Sequence, residues 1–201
     1  QRMKDNVDKI LSDNEDNMLC FRLMNSAMFM QLWHNKKDNQ RIIIDDDPYL
    51  DENFYKQAKD NIFPSSPHAA WRPFQLAFIL LNLDGIIKHP QDSGWKKRND
   101  LVDLVWFPTG GGKTEAYLGI IALSIIFRRR QSPENGGGTT AIMRYTLRLL
   151  ATQQFQRAMR LILALEQLRR WNLYDLGEEQ ISIGLFVGED SLPTIVYKSV
   201  Y

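Results

Sequence analysis

One glycine-rich segment constrains this chain of 201 residues more than any other feature. It runs from Trp106 to Thr114 and reads Trp-Phe-Pro-Thr-Gly-Gly-Gly-Lys-Thr. A short apolar stretch, 101–106, leads into it, and the pattern of 115–130 predicts a long helix after it. Strand, glycine turn, Lys-Thr and helix is the order of a phosphate-binding loop. The chain is therefore predicted to be part of a nucleotide triphosphatase.

The chemistry of this loop follows from its residue types. The glycines let the backbone turn tightly and direct several N–H groups at one anion, and the positive end of the following helix adds to the attraction. Lys113 is expected to reach the outer phosphates of a nucleotide, and the Thr114 hydroxyl is expected to bind Mg²⁺. The common form of the loop has a glycine where this chain has Phe107.

The second half of the chain alternates between short apolar segments and long helix-like segments. The predicted strands are 101–106, 139–143 and 181–187, and the predicted helices are 115–130 and 146–170. This alternation predicts an α/β fold in which helices cover both faces of a parallel sheet. The first half reads as helical over 1–34, and Pro73 is placed to begin another helix.

The composition of the sequence changes near residue 70 and divides the chain into two parts. Residues 63–67 are rich in proline and serine and read as a linker. We therefore predict a mainly helical accessory segment over 1–70 and a nucleotide-binding domain over 71–201. Because the chain begins with Gln1, we expect it to be a fragment of a longer protein.

Charge is balanced overall but not along the chain. There are 25 Lys and Arg against 24 Asp and Glu, yet residues 124–170 contain nine arginines against Glu134 and Glu166. The basic half also contains the glycine-rich loop, which indicates a polyanionic partner. A solvated, arginine-rich helix face is the alternative that charge alone leaves open.

Residues that often mark disulfides, metal sites or membrane spans are sparse. Cys20 is the single cysteine, which excludes an internal disulfide and a cysteine-based zinc site and fits a reducing cytoplasm. The three histidines lack ligand spacing, and the acidic run 45–47 before Pro48 reads as a solvated turn. The longest nearly apolar run, 117–127, is about half of what a bilayer requires, so no membrane partner is predicted.

The segment from Trp71 to Gln75 is suited to recognising a base. A glutamine amide presents a donor and an acceptor, so Gln75 is predicted to pair with the adenine edge. Phe74 or Trp71 would then stack beside the base. An ordinary helix start with a surface glutamine is the alternative.

The segment 144–153, together with Arg157 on the predicted helix that follows, is predicted to hold a phosphodiester backbone. It begins where a predicted strand ends and a helix starts, and such ends form the binding edge of an open α/β sheet. Arginines and a helix start there can bind phosphates. The candidates are Arg144, Arg148 and Arg157, with neutral contacts from Gln153 and Gln156. Pairing of Arg148 with a local acid is the alternative.

Two acidic pairs are candidates for magnesium ligands. Glu189-Asp190 follows an apolar strand-like segment, but its order is reversed relative to the Asp-Glu that coordinates magnesium in such triphosphatases. Asp51-Glu52 has that order but precedes the loop and follows no apolar strand. Neither pair is assigned to the metal.

Together these segments resemble superfamily 2 helicases, in the first RecA-like domain. Residues 107–114 match motif I in its Pro-Thr-Gly-x-Gly-Lys-Thr form, and 72–75 look like the adenine-sensing Q motif. Residues 146–153 resemble motif Ia but lack its proline and glutamate. The strings Trp-Arg-Pro-Phe-Gln-Leu-Ala-Phe and Met-Arg-Tyr-Thr-Leu-Arg-Leu-Leu look most like the DrmA helicases of the bacterial DISARM antiphage system, over roughly 18–188.

The resemblance implies a RecA-like fold and an ATP-dependent DNA helicase or translocase that acts beside a partner subunit in phage defence. It implies that ATP and Mg²⁺ bind at Phe74, Gln75, Thr109, Gly110, Gly111, Gly112, Lys113, Thr114 and Glu115, with Lys113 and Thr114 catalytic and Thr114 on the metal. It implies that DNA, single-stranded or partly duplex, contacts Arg144, Arg148, Gln153 and Arg157. Motif II and a second RecA-like domain are not recognisable, so the fragment alone is expected not to complete hydrolysis.

Two other classes stay open at this point. One is a non-hydrolysing nucleotide-binding module whose basic helix docks a protein. The other is a P-loop kinase, although that class usually keeps the early glycine of the loop and lacks the motif Ia string. An apolar strand followed by Asp-Glu beyond Tyr201 would favour the motor.

Overall fold

The structure is a computed structural model that describes residues 1–37, 70–87, 106, 111–145, 148–172 and 174–186, without the side chains of 33–37, 148 and 149. Within these ranges the chain forms five α-helices. They are α1 (Arg2–Asn6), which continues into a π-helical turn (Val7–Ser12), α2 (Glu15–Lys37), α3 (Pro73–Ile86), α4 (Lys113–Gln131) and α5 (Arg148–Arg170). The helices predicted over 1–34, from Pro73, over 115–130 and over 146–170 are confirmed within the described ranges.

Local sequence signals explain where these helices begin and end. The Asn14 side chain accepts the N–H of Asn17 at 3.0 Å, so it caps the start of α2. Pro73 occupies the first turn of α3, where its missing N–H costs nothing. Helix α4 carries Glu115 in its first turn and arginines 128–130 in its last, an order that complements the helix dipole.

Helix α4 lies at the centre of the described fold. It packs against α2, α3 and α5, while α2 also packs on α5 and α1 on α3. The helices share one hydrophobic core, whose fully buried members include Leu23, Met24, Ile79, Leu83, Leu118, Leu123, Ile126, Leu161 and Leu165. The N-terminal helices thus share a core with the helix that follows the glycine-rich loop. The division predicted at residue 70 stays a prediction.

The predicted α/β sheet is wrong for the described part of the chain, which is helical and irregular and has no strand. Residues 139–143 and 181–186 are irregular there, and 101–105 lie outside the described residues. An apolar, β-branched pattern favours an extended backbone, but a strand also requires a hydrogen-bonded neighbour. Because no described segment pairs with another in this way, the RecA-like sheet expected from the sequence is not formed there.

Three arginines hold the segment 174–180 against the helices. Arg129 and Arg130 at the end of α4 and Arg169 at the end of α5 donate to its backbone; the acceptors are the carbonyls of Tyr174, Leu176, Gly177, Glu178, Glu179 and Gln180. Arg130 also pairs with Asp16 of α2. These three arginines, which contributed to the predicted polyanion-binding charge, are therefore engaged within the chain.

Cys20 is fully buried on α2, where burial raises the pKa of its thiol to about 12. Among the helices that the structure describes, none combines the length and apolar character needed to cross a bilayer.

Candidate nucleotide site

The end of the glycine-rich loop forms the start of α4. Gly112 is the residue before the helix and has a left-handed backbone, with φ of +89°. Lys113 and Thr114 follow as its first two residues and are half-buried. The first N–H groups of a helix have no acceptor within the helix, and the dipole makes that end positive. Lys113 thus adds a cation to an end of the helix that already favours an anion.

Two residues at the start of α3 bind the carbonyls of this loop. The Arg72 guanidinium donates to the Gly111 carbonyl at 3.1 Å, and Gln75 Nε2 donates to the Gly112 carbonyl at 2.7 Å. Gln75 Oε1 in turn accepts the backbone N–H of Arg72 at 2.9 Å. The two side chains therefore join the start of α3 to the end of the loop.

These contacts orient the amide groups of the loop as well as its carbonyls. A trans peptide is planar, so its N–H points away from its C=O. With the Gly111 and Gly112 carbonyls turned toward α3, the N–H groups of Gly112 and Lys113 face the opposite side. Arg72 and Gln75 thus direct two amides away from α3.

Position 112 accepts only glycine without rearrangement. A Cβ built there would lie 2.7 Å from Gln75 Nε2, and the positive φ is itself unfavourable for other residues. The predicted need for glycine is therefore met at this position by two independent constraints.

Trp71 packs between helices in this structure. Its indole N–H donates to Asn25 Oδ1 of α2 at 2.6 Å, and its ring faces Gly119 of α4, where a Cβ would lie 3.0 Å from the ring. Phe74 is half-buried on the first turn of α3. The suggestion that one of them stacks on a base stays a prediction.

Glu115 and Arg157 form an ion pair across two helices. Glu115 lies in the first turn of α4, and its Oε1 pairs with the Arg157 guanidinium near the middle of α5. The two side chains are 26% and 33% exposed. Burial, followed by the charge of Arg160, lowers the pKa of Arg157. The structure thus brings a predicted nucleotide residue together with a predicted nucleic-acid residue.

The other predicted nucleic-acid residues lie near the start of α5. Arg144 and Gln153 are exposed, and Arg148 is the first residue of the helix, with its side chain outside the described part. Tyr145 lies beside Tyr117 of α4. Burial raises the pKa of the Tyr145 phenol, and the interaction with Tyr117 raises it further. The Tyr117 ring meets Phe78 of α3 edge-on, with ring centres 5.7 Å apart.

Some predicted site residues lie outside the described residues. These are Thr109 and Gly110 of the loop. The two acidic pairs that were not assigned to the metal, 51–52 and 189–190, also lie outside them. Across the described ranges, no group of three or more His, Cys, Asp or Glu side chains is arranged to hold a metal. The sequence alone gives Arg72 no function, although Arg72 is the first residue of the segment 72–75 that resembles the Q motif.

Comparison with known proteins gives the chain a relative. No family model matches it. It is 40% identical over 189 residues to the DISARM protein DrmA of Bacillus paralicheniformis, an alignment that covers 90% of this chain and 15% of the relative. The chain thus spans a small part of that protein's length. The resemblance to DrmA inferred from the sequence is confirmed: over nine-tenths of its length, this chain is similar to a DISARM protein DrmA.

Proposed function

We propose that this chain contributes the ATP-binding region of an ATP-dependent DNA helicase or translocase in a DISARM-type antiphage complex. The observation that carries the proposal is the geometry at the start of α4. There the left-handed Gly112 precedes Lys113 and Thr114, while Arg72 and Gln75 turn the loop carbonyls away from the proposed phosphate side. The similarity to DrmA supports the setting in phage defence.

The residues of this site fit a triphosphate in charge and in hydrogen-bonding type. Backbone amides of residues 112–114 are donors, and the Lys113 ammonium supplies a positive charge. The Thr114 hydroxyl is the type of oxygen ligand that Mg²⁺ takes in such loops, where phosphate oxygens and water complete the coordination. When bound, Mg²⁺ would neutralise charge on the outer phosphates.

The start of α5 is the proposed contact with DNA. Arg144 and Gln153 are exposed, and Arg148 opens the helix. Cations and helix starts bind phosphates without reading sequence, so this contact would serve a protein that moves along DNA. A partner subunit of the same defence complex is part of the proposal, because the relative is described as a DISARM protein.

The experiment that tests the nucleotide site is equilibrium binding of a fluorescent ATP analogue to the intact protein. Lys113→Ala should weaken binding at least tenfold, because it removes a charge-assisted contact to phosphate. Lys4→Ala, which alters an exposed lysine of α1, is the matched control and should bind normally. Wild-type binding that Lys113→Ala leaves unchanged would contradict the assignment.

A second candidate is a nucleotide-binding module that docks a protein without hydrolysis. Two exposed apolar side chains favour it, Ile142 at 86% and Phe186 at 101%. ATP hydrolysis by the intact protein, with and without single-stranded DNA, separates the two. DNA-stimulated turnover supports the motor, whereas nucleotide binding without turnover supports the docking module.

A further inference from the structure

The ion pair between Glu115 and Arg157 lies at the edge of the proposed phosphate site. Glu115 directly follows Thr114, and its Oε2 lies 3.3 Å from the position that a Cβ on Gly112 would occupy. A carboxylate is thus held beside the loop to which a triphosphate would bind. This carboxylate and a bound triphosphate would both be negative and would repel each other, and partial burial strengthens such a repulsion.

Arg157 supplies the compensating charge. Its guanidinium contacts Glu115 Oε1, although it comes from the middle of another helix. Arg160, one turn further along α5, is also positive and disfavours a second cation nearby. Glu115 is therefore the carboxylate that offsets the cost of holding Arg157 in this half-buried position.

We propose that Arg157 is a positioning residue for nucleotide binding, which acts by neutralising and orienting Glu115 at the edge of the phosphate site. The proposal rests on the proposed nucleotide-binding function. If Arg157 acts in this way, replacing it should change nucleotide affinity even in the absence of DNA. An arginine that only contacts a phosphodiester backbone would have no such effect.

A double-mutant cycle with nucleotide affinity as the readout tests this. The intact protein without DNA is titrated with a fluorescent ATP analogue as wild type, Arg157→Gln, Glu115→Gln and the double variant. Arg157→Gln should weaken binding about three- to fivefold, the range of a partly exposed ion pair. The loss from Glu115→Gln alone should be smaller than that from Arg157→Gln, and adding Glu115→Gln to Arg157→Gln should restore nearly wild-type affinity. Arg170→Gln, an exposed arginine of the same helix, is the matched control.

The outcomes separate this proposal from simpler explanations. Equal losses of nucleotide affinity in Arg157→Gln and Glu115→Gln would overturn it, because they would show that the ion pair only holds the two helices together. Unchanged nucleotide affinity in Arg157→Gln together with weaker DNA binding would also overturn it and would make Arg157 a DNA contact. No nucleotide binding by the wild type would overturn the proposed function itself, whereas normal wild-type binding with an unaffected Arg157→Gln would overturn only this inference.

Discussion

Gln75 donates from Nε2 to the carbonyl of Gly112 at 2.7 Å, which joins the first turn of α3 to the last glycine of the loop. The side chain is 5% exposed, and its Oε1 accepts the N–H of Arg72. Both ends of the amide that was predicted to pair with adenine therefore have partners within the chain. Two hypotheses for Gln75, adenine recognition and loop positioning, make different predictions.

Gln75→Ala should weaken binding of ATP and of inorganic tripolyphosphate by the same factor, about fivefold or more. The reason is that it removes two part-buried hydrogen bonds, one to the Gly112 carbonyl and one from the Arg72 N–H, each of which contributes about 0.5–1.5 kcal/mol. Competition titrations with both ligands provide the measurement, and Gln131→Ala, at the exposed end of α4, is the control. A loss confined to ATP would instead assign Gln75 to the adenine.

Gly112→Ala should reduce nucleotide affinity by more than tenfold. The left-handed conformation costs a non-glycine residue about 1–2 kcal/mol, and the added Cβ would meet the Gln75 amide. Gly184→Ala is the control, because a Cβ there has no atom within 4 Å. Equal affinities for the two variants in the same titration would contradict the strained geometry described for the loop.

Glu166→Gln should loosen the segment 176–186 at neutral pH and have little effect in acid. Burial alone would raise the pKa of Glu166, but hydrogen bonds from Arg169 and from the Ile181 N–H, with nearby arginine charges, lower it below the ordinary 4.5. A carboxyl group whose pKa is lower in the folded than in the unfolded protein stabilises the fold at pH values above its unfolded pKa. This stabilisation is lost as the pH falls through the folded pKa.

Hydrogen exchange of 176–186 in the intact protein measures this effect. At pH 7 the variant should exchange faster than the wild type, and the two should converge well below pH 4.5, where wild-type Glu166 becomes protonated. A difference that is independent of pH would show that the carboxylate charge is not what holds the segment.

Arg148→Ala should weaken DNA binding to a similar extent for different DNA sequences. It should also reduce the slope of log affinity against log salt concentration by the amount expected for about one phosphate contact. Binding isotherms on single-stranded oligonucleotides at several salt concentrations measure both quantities. Arg170→Ala is the control, because it also removes one arginine from α5 but at the opposite end of the helix. Identical behaviour of the two variants would exclude a specific contact at the start of α5.

Cys20 should resist alkylation in the native protein at pH 8. Burial, and to a smaller extent the negative charge of Asp16, raises the pKa of its thiol to about 12. The reactive thiolate is therefore rare at pH 8, and the side chain is also inaccessible to the reagent. Mass spectrometry after iodoacetamide treatment should show labelling only when denaturant is present. Rapid native labelling would contradict the described packing of α2 in the core.

The sequence predicted the local features of this protein well. Periodicity, Pro73 and the Gly-to-Lys transition located the helices, because helix formation depends on neighbours three and four residues away. The glycine requirement at 112 followed from the loop pattern, and the structure places a left-handed backbone there. The resemblance to DrmA was also recognisable from short strings.

Contacts between distant residues were decided only by the tertiary structure. The strand predictions were wrong within the described residues, because an apolar pattern does not specify a hydrogen-bonding neighbour. Likewise, no local pattern shows that Arg129 binds the carbonyls of a segment nearly fifty residues away, or that Arg157 pairs with Glu115. The sequence by itself determined where helices form and where glycine is required, because both depend on neighbouring residues, whereas packing decided which distant polar side chains contact each other.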